Sequence, residues 1–274
     1  GVLSADLPDL VAGRLSKDCV LRANEPLARR TTLGLGGAAR WYAEPASVDD
    51  LVTLLRAAAE LDLRWFVLGR GSNLLVPDEG YDGLILHLDA ARWGAVTDLG
   101  EGRFRVGGGT RLKELCGVAA REGRAGFEFL EGIPGTVGGS LRMNAGAMGG
   151  WIFDVVESIE WLTPQGRVRA ARRDCFDALY RDCPQLHGAV VLSAVLRSAS
   201  AEDSAAIRGR MDEMAARRRA SQPREASAGC VFRNPEGDKA GRLIDLSGLK
   251  GRAVGPVSVS PTHANFLVNA GDAK

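Results

Sequence analysis

Three glycine-rich segments are the parts of this sequence whose residue types and spacing most directly suggest chemistry. They are residues 34–37, residues 69–73 and residues 130–150; the last 20 residues of the third contain seven glycines, against about 2.6 if the 35 glycines were spread evenly over 274 positions. Each glycine costs roughly 0.5–1 kcal/mol relative to alanine inside a helix or strand, so we expect loops here. Successive backbone N–H groups in such loops form concavities that bind anions. The pattern indicates one large phosphate-bearing ligand, with ordinary tight turns as the alternative.

Three further motifs carry side chains with charge or acid–base chemistry. They are residues 180–182 (Y-R-D), residues 228–235 (A-G-C-V-F-R-N-P) and residues 260–269 (S-P-T-H-A-N-F-L-V-N). A guanidinium stays charged and can bind a carboxylate through two parallel hydrogen bonds. A thiol, with an ordinary pKa of about 8.5, is a stronger acid than an alcohol. Taken alone, Arg181 has an alternative as a strand-edge arginine and Cys230 as a small buried apolar residue.

Composition narrows the classes of function. The formal net charge is +1, which gives no electrostatic reason to expect nucleic acid or an anionic membrane as a partner. No apolar run reaches the roughly 18 residues of a membrane span, and the first residues do not resemble a signal peptide. The five cysteines include no C-x-x-C pair and the three histidines are scattered, so we expect no metal site and no disulfide framework. The predicted location is the reducing cytoplasm.

The second glycine segment follows a predicted β-α-β unit over residues 38–69. Ser47 is expected to cap a helix with apolar residues at Leu51, Leu54, Leu55 and Ala58, and a buried strand at 65–68 runs into the loop. The loop lacks the third glycine of the dinucleotide-binding fingerprint, and Pro77 argues against a helix after it. We therefore reject a Rossmann site.

The elements beyond this unit follow from the same signals. Strands are predicted at 84–88, 103–106 and 189–196, and a hairpin joins 155–163 to 168–171. Thr110 is expected to cap a helix that ends at Gly123. A further helix is expected at 204–220, with a basic end that includes Arg217. The character of the sequence changes near residue 200, where we place a domain boundary.

Together, five motifs resemble the UDP-N-acetylenolpyruvoylglucosamine reductases, flavoenzymes of the second committed step of bacterial peptidoglycan synthesis. The motifs are residues 68–76 (L-G-R-G-S-N-L-L-V), 131–147 (E-G-I-P-G-T-V-G-G-S-L-R-M-N-A-G-A), 180–182, 228–235 and 260–269. The resemblance runs from Thr31 to the last residue in the family's order. The short spacing between Arg181 and Arg217 is similar to the family's second type, which lacks an inserted tyrosine loop over the substrate.

The resemblance implies an α+β fold. A two-part FAD-binding region of the vanillyl-alcohol-oxidase type would occupy residues 1–82 and 83–200, and a smaller α+β substrate-binding domain residues 201–274. FAD would be held noncovalently, with its pyrophosphate met by backbone amides of both glycine segments and by side chains such as Ser72 and Asn144. The implied FAD-binding residues are Gly69, Arg70, Gly71, Ser72, Asn73, Leu74, Pro134, Gly135, Thr136, Gly138, Gly139, Asn144, Ala145 and Gly146.

The implied activity is that of an FAD-dependent UDP-N-acetylmuramate dehydrogenase. NADPH is the hydride donor, and UDP-N-acetylglucosamine enolpyruvate is reduced to UDP-N-acetylmuramate. Hydride reaches C3 of the enolpyruvyl group and a proton reaches C2, so negative charge develops and needs fixed partners. Arg181 matches the arginine for this charge, and Cys230 occupies the place of the proton donor, which is often a serine. Tyr180, Arg217 and Asn234 match substrate-binding positions. For Arg217 a solvated helix end is an equal alternative, and His263 is interpreted as a turn residue near the site. We expect a monomer.

One departure from the family concerns its third catalytic residue, a glutamate near the C-terminus. No residue here can be assigned that role, and we expect the sequence to be incomplete at its C-terminus; a chain that truly ended at Lys274 would bind FAD with severely reduced turnover. Two alternatives stay open: another FAD oxidoreductase of the same fold, and a catalytically impaired nucleotide-sugar binding protein. The first has no reason to carry the motifs at Cys230 and His263.

Overall fold

The computed structural model describes residues 5–273 of the chain, which contain both helices and strands. The helices are α1 (Leu7–Val11), α2 (Val48–Glu60), α3 (Ala90–Trp93), α4 (Leu112–Arg121), α5 (Val137–Met143), α6 (Ser204–Ser221) and α7 (Ala240–Leu246). The strands are β1 (Val20–Pro26), β2 (Ala38–Glu44), β3 (Trp65–Leu68), β4 (Tyr81–His87), β5 (Val96–Gly100), β6 (Arg103–Gly107), β7 (Arg124–Ala125), β8 (Gly146–Ala147), β9 (Gly150–Trp151), β10 (Val156–Leu162), β11 (Val168–Arg172), β12 (Val190–Arg197), β13 (Ser200–Ala201), β14 (Ala226–Cys230), β15 (Ala253–Val254), β16 (Val257–Val259) and β17 (Phe266–Asn269). None of the described helices is both long enough and apolar enough to cross a membrane.

Tertiary contacts divide the chain into two units. The first comprises residues up to Ala23, Trp41–Gly69 and Asp82–Met214, and the second comprises Asn24–Arg40, Arg70–Tyr81 and the residues from Ala215 onward. The chain therefore passes from one unit to the other several times. The predicted domain boundaries near residues 82 and 200 stay predictions.

The β-α-β pattern expected at residues 38–69 is confirmed. Its strands belong to a sheet in the order β1-β2-β4-β3, in which β3 and β4 run parallel with Trp65 opposite Leu84. Ser47 caps α2 by accepting a hydrogen bond from the amide of Asp50 at 3.1 Å. The leucines predicted for one face of α2 are buried in an apolar cluster with Leu84 and Leu86. No helix follows the glycine loop before β4, as Pro77 predicted.

A five-stranded sheet in the order β11-β10-β12-β6-β5 also belongs to the first unit. The predicted hairpin is present, with β10 and β11 antiparallel and Leu162 opposite Val168. Helix α4 packs on this sheet, and its buried residues join a cluster that contains Phe104 and Phe127. The expected cap was wrong: the N-cap of α4 is Arg111, while Thr110 is fully buried and its hydroxyl lies 3.4 Å from the carbonyl oxygen of Ala95.

The third glycine segment is not the continuous loop that its composition predicted, because it contains α5. Thr136 caps this helix by accepting a hydrogen bond from the amide of Gly139, and Asn144 ends it in the left-handed conformation at φ 45°. Two tertiary hydrogen bonds fix its first turn: Val137 N donates to Thr110 O at 2.8 Å and Gly138 N donates to Gly108 O at 2.9 Å. These bonds, with the burial of Val137 and Leu141, offset the poor helix propensity of the glycines.

The second unit contains a sheet in the order β14-β17-β16-β15. Cys230 does not lie in a turn, as the neighbouring glycine suggested, but is the last residue of β14 and pairs with Phe266 of β17. The pairing register shifts between Ser227 and Cys230, so Gly229 lies at a bulge, where it adopts φ 76°. Cys230 therefore lies at the end of β14, next to the β-bulge at Gly229.

Candidate functional site

A tight turn between Leu179 and Asp182 carries the predicted residues Tyr180 and Arg181. Leu179 N donates to Asp182 O at 2.9 Å, and Asp182 N donates to Leu179 O at 3.3 Å. Arg181 at the tip adopts φ 55°, a conformation that costs energy for a residue with a Cβ and persists only where its surroundings hold it. Its guanidinium carbon lies 6.0 Å from the centroid of the Tyr180 ring, at the outer limit of a cation–π contact.

Side chains from other elements clamp this turn. Asn144 Nδ2 donates to Leu179 O at 3.0 Å. The Asp182 carboxylate meets Arg142 Nη1 at 2.8 Å and His187 Nε2 at 2.6 Å. The hydrogen bond with His187 lowers the pKa of Asp182 against an opposing effect of desolvation, and the charge of Arg142 adds to the lowering. The carboxylate therefore stays ionised and keeps both partners at neutral pH.

Asn144 combines two features of a site residue. Its side chain is buried at the end of α5, and Nδ2 is engaged by Leu179 O. Among the described residues, its Oδ1 atom is buried and has no hydrogen-bond partner. A buried acceptor without a donor is costly, so Asn144 has one unmet requirement that a donor group could fill.

The predicted FAD-binding residues of the first unit lie together. A Cβ at Gly69 would stand 2.8 Å from Thr136 Oγ1, so the end of β3 and the residues before α5 are in close contact. Gly138 and Gly139 lie in the first turn of α5, and their amides already donate to Gly108 O at 2.9 Å and to Thr136 Oγ1 at 3.3 Å. Because these two amides are already engaged, an anion near them would be bound chiefly by other groups. Gly139 is exposed and would leave space for a ligand rather than donate a hydrogen bond to it.

The remaining residues of the second glycine segment, 70–74, lie in the second unit. Thr32 ties them to β14, because its amide donates to Gly71 O at 3.1 Å and its hydroxyl donates to Ser227 O at 2.8 Å. Asn73 Oδ1 would lie 3.5 Å from a Cβ at Gly229. The structure thus brings predicted FAD residues next to the strand that ends at the predicted proton donor, Cys230.

Cys230 has an arginine neighbour that sequence reasoning missed. Burial lowers the pKa of the Arg218 guanidinium, and its electrostatic interaction with Cys230 opposes that lowering. The predicted substrate residue Arg217 lies next to it on α6 but on the exposed side of the helix. A run of three arginines does not reveal which one faces inward, so the sequence offered no means of choosing.

Asn234 has a structural partner as well as its predicted role. Its Oδ1 atom accepts a hydrogen bond from the amide of Ala240, the first residue of α7, at 3.0 Å, and the residue is exposed. Arg181 belongs to the first unit, whereas Cys230, Arg217 and Asn234 belong to the second. Within the described residues, no group of three or more His, Cys, Asp or Glu side chains could hold a metal ion.

Two family models match the chain. One, described as an FAD binding domain, matches residues 39–172, and one described as the UDP-N-acetylenolpyruvoylglucosamine reductase C-terminal domain matches residues 222–274. The UDP-N-acetylenolpyruvoylglucosamine reductase of Pelobacter propionicus is 41% identical over 254 residues, which cover 93% of this chain and 85% of that protein. That of Desulfosudis oleivorans is 43% identical over 262 residues, covering 91% and 83%.

Solved structures agree with these matches. The crystal structure of UDP-N-acetylenolpyruvylglucosamine reductase from Thermus caldophilus has a TM-score of 0.80 at 36% identity and covers 93% of this chain and 90% of its own. A cholesterol oxidase from Brevibacterium sterolicum, at 14% identity and a TM-score of 0.52, covers 71% of this chain and 40% of its own, and shares the fold alone. The predicted α+β class, an FAD-binding region followed by a C-terminal domain, is confirmed.

Proposed function

This chain belongs to the UDP-N-acetylenolpyruvoylglucosamine reductase family, and we propose that it reduces UDP-N-acetylglucosamine enolpyruvate to UDP-N-acetylmuramate with NADPH as hydride donor and FAD as cofactor, in peptidoglycan precursor synthesis. The observation that carries this proposal is the extent of the match, 41% identity across 93% of the chain with a C-terminal domain model specific to the family. We further propose that it acts as a monomer in the cytoplasm, without a nucleic-acid or membrane partner.

The residues present fit FAD. The buried Oδ1 of Asn144 lacks a donor among the described residues, and FAD carries ribityl hydroxyls and a ring N–H that could supply one. Gly139 leaves its exposed backbone open to close approach, since the nearest atom to a Cβ there is Thr136 Oγ1 at 3.6 Å. When bound, FAD supplies the hydride-transfer chemistry between NADPH and the enolpyruvyl double bond. The proposed FAD contacts in the first unit are Gly69, Pro134, Gly135, Thr136, Gly138, Gly139, Asn144, Ala145 and Gly146, and in the second unit Arg70, Gly71, Ser72, Asn73 and Leu74.

We assign Arg181 and Cys230 the catalytic roles. The Arg181 guanidinium binds the substrate carboxylate and neutralises the charge that develops when hydride reaches C3. The Cys230 thiol then donates its proton to C2, which completes the reduction of the double bond, and recovers a proton from solvent. Tyr180, Arg217 and Asn234 hold the substrate. The restrained φ 55° turn at Arg181 supports this assignment, because strained backbone conformations concentrate at functional sites.

An anaerobic experiment tests the function. The purified protein should be yellow, NADPH should bleach the flavin absorbance, and UDP-N-acetylglucosamine enolpyruvate should restore it. Absorbance that stays bleached after the substrate is added would refute the reductase function, and a protein without flavin would refute the whole class. UDP-N-acetylglucosamine, which lacks the enolpyruvyl double bond, is the matched control and should leave the absorbance bleached.

A further inference from the structure

The segment 260–269 forms a rigid support for the residues that follow Cys230. Asn265, at the end of the turn that leads into β17, is 3% exposed. Its side-chain amide makes two hydrogen bonds with the backbone of Phe232: Phe232 N donates to Oδ1 at 2.9 Å, and Nδ2 donates to Phe232 O at 2.8 Å. Its own carbonyl oxygen accepts from Val231 N at 2.9 Å. One buried residue thus makes three hydrogen bonds to the two residues after the thiol.

These bonds matter because little else fixes that stretch. Cys230 is the last residue of β14, and the ladder between β14 and β17 is already irregular before it. Beyond it the side chains of Val231 and Phe232 are 43% and 60% exposed, so apolar burial contributes little to holding them. The Asn265 amide takes the place of a further strand partner, extending the ladder past the point where backbone pairing stops.

Asn265 is itself held in place by the rest of the motif. The backbone N–H of Asn265 donates to His263 Nδ1 at 3.1 Å, and the His263 ring packs against Phe266 with a centroid separation of 4.8 Å. The fully buried Ser260 accepts hydrogen bonds through Oγ from the amides of Thr262 and His263 at 3.1 Å and 3.3 Å. The side chains of this motif therefore form one hydrogen-bonded support, whose contact with the β14 terminus is Asn265.

We propose that Asn265 is a positioning residue for the Cys230 thiol: it fixes the backbone that follows Cys230 and so aims the sulfur at the carbon that is protonated. The inference rests on the proposed role of Cys230 as proton donor. Proton transfer requires heavy atoms within hydrogen-bond reach, and small displacements of a reacting group are costly in rate. An amide is suited to the task because it presents one donor and one acceptor side by side, matching a backbone C=O and N–H.

The test compares Asn265→Ala and Asn265→Asp with the parent holoenzyme and with a matched control, Asn269→Ala. Asn269 is the last residue of β17, the strand that follows Asn265, and its side-chain amide also bonds backbone, donating to Leu33 O at 2.9 Å. Its β14 partner is Ala226, at the opposite end from Cys230. Two quantities are measured: the stopped-flow rates of flavin bleaching by NADPH and of its return with substrate, and the rate of iodoacetamide alkylation of Cys230 by peptide mass spectrometry. Exposed Cys175 serves as the internal reference for alkylation.

We expect Asn265→Ala to slow the return of flavin absorbance by about 10- to 100-fold while bleaching by NADPH keeps the parent rate. Alkylation of Cys230 should rise severalfold relative to Cys175, because the strand end frays. Asn265→Asp, which keeps size and the acceptor for Phe232 N, should fall between parent and alanine, and provides the test if the alanine variant does not fold. Asn269→Ala should change neither quantity.

A parent-like rate of return in Asn265→Ala would overturn the inference, and so would equal slowing of both half-reactions, which indicates general loss of structure. The Cys230→Ala variant separates this failure from failure of the proposed function. If Cys230→Ala is slow and Asn265→Ala is not, the positioning role alone is wrong. If Cys230→Ala returns normally, the donor role of Cys230 is wrong and the positioning role falls with it.

Discussion

At the scale of single residues, substitutions of Cys230 test the proposed chemistry most directly, because its thiol is the proposed proton donor. A serine in its place keeps an O–H at nearly the same position and is the residue often found there in the family, so Cys230→Ser should retain much of the activity. Alanine removes the proton altogether. In Cys230→Ala we expect NADPH to bleach the flavin absorbance at the parent rate, and we expect substrate no longer to restore that absorbance. Stopped-flow absorbance measures both steps, and normal return in the alanine variant would sink the assignment.

His263 makes stability depend on pH. Burial lowers its pKa below the ordinary 6.5, with the charge of Lys250 adding to the lowering and a backbone hydrogen bond opposing it. The neutral ring accepts a hydrogen bond at Nδ1 from the backbone N–H of Asn265, which a protonated ring could not do. Because the folded-state pKa lies below the unfolded one, the unfolded state takes up the proton first, and stability falls as pH decreases below about 6.5.

The corresponding measurement is urea unfolding of the parent and of His263→Gln between pH 7.5 and pH 5. The parent should lose free energy of unfolding across this range, and the glutamine variant should lose less, because it carries no titrating group there. His187→Gln, which alters an exposed histidine paired with Asp182 in a different part of the fold, gives the contribution of another histidine for comparison. Equal slopes for parent and His263→Gln would contradict the prediction, since they would show that protonation of His263 does not destabilise the folded state.

At the scale of elements, the sequence was sufficient wherever local signals agree with tertiary packing. Helix α2 has a serine cap and an apolar face that meets a buried cluster, and both were predicted from spacing alone. The hairpin of β10 and β11 follows from two apolar runs around a Pro-Gln-Gly turn. In these cases the residues that decide the structure lie within a few positions of each other, so the pattern contains the answer.

Local signals failed where distant partners decide. Glycine propensity argued against a helix at 137–143, but hydrogen bonds from Val137 to Thr110 and from Gly138 to Gly108 stabilise α5 from about 30 residues away. Thr110 has the side chain of a cap, yet its burial takes the hydroxyl away from α4. The clamp of Arg142 and His187 on Asp182 joins residues whose separation along the chain gave no signal at all.

Helix α5 offers a prediction in which two adjacent glycines should behave oppositely. A Cβ at Gly138 would stand 2.9 Å from the carbonyl oxygen of Gly108, a backbone atom that cannot easily move, whereas the nearest atom to a Cβ at Gly139 is Thr136 Oγ1 at 3.6 Å. Gly138→Ala should therefore destabilise the apoprotein by about 1–3 kcal/mol. Gly139→Ala should leave its stability unchanged or raise it by up to about 1 kcal/mol, since alanine is the better helix former.

FAD affinity gives Gly139 a second readout. If the exposed backbone at Gly139 is where FAD approaches closely, Gly139→Ala should weaken FAD binding even though the apoprotein is not destabilised. Urea unfolding of the apoprotein and fluorescence titration with FAD separate the two effects. Unchanged FAD affinity in Gly139→Ala would remove this residue from the proposed contacts, and a stable Gly138→Ala would contradict the tight packing of α5 on Gly108.

At the scale of the whole molecule, hydrogen bonds between residues far apart in the sequence bring the motifs together. Thr32 bonds both Gly71 and Ser227, so three segments separated by up to 195 positions meet at one threonine in the second unit. Composition identified the glycine segments, and the family resemblance assigned them to FAD binding. No pattern in the sequence predicts that Thr32 connects the segment at Gly71 to the strand at Ser227. The roles proposed for Arg181, Cys230 and the FAD contacts stay predictions that binding and rate measurements decide.

Flavin specificity tests the cofactor proposal on the intact protein. A ligand that binds only the folded state at 100 times its Kd stabilises it by about 2.7 kcal/mol. If the glycine segments hold the pyrophosphate, stripped apoprotein at equal ligand concentrations should gain most in Tm from FAD, less from FMN with its single phosphate, and least from riboflavin, which has none. Differential scanning fluorimetry provides the comparison, with ADP as a control for binding through the nucleotide half. Equal shifts with riboflavin and FAD would mean that the isoalloxazine ring carries the affinity and that the glycine segments serve packing alone, as Gly138 and Gly71 already do against Gly108 and Arg30.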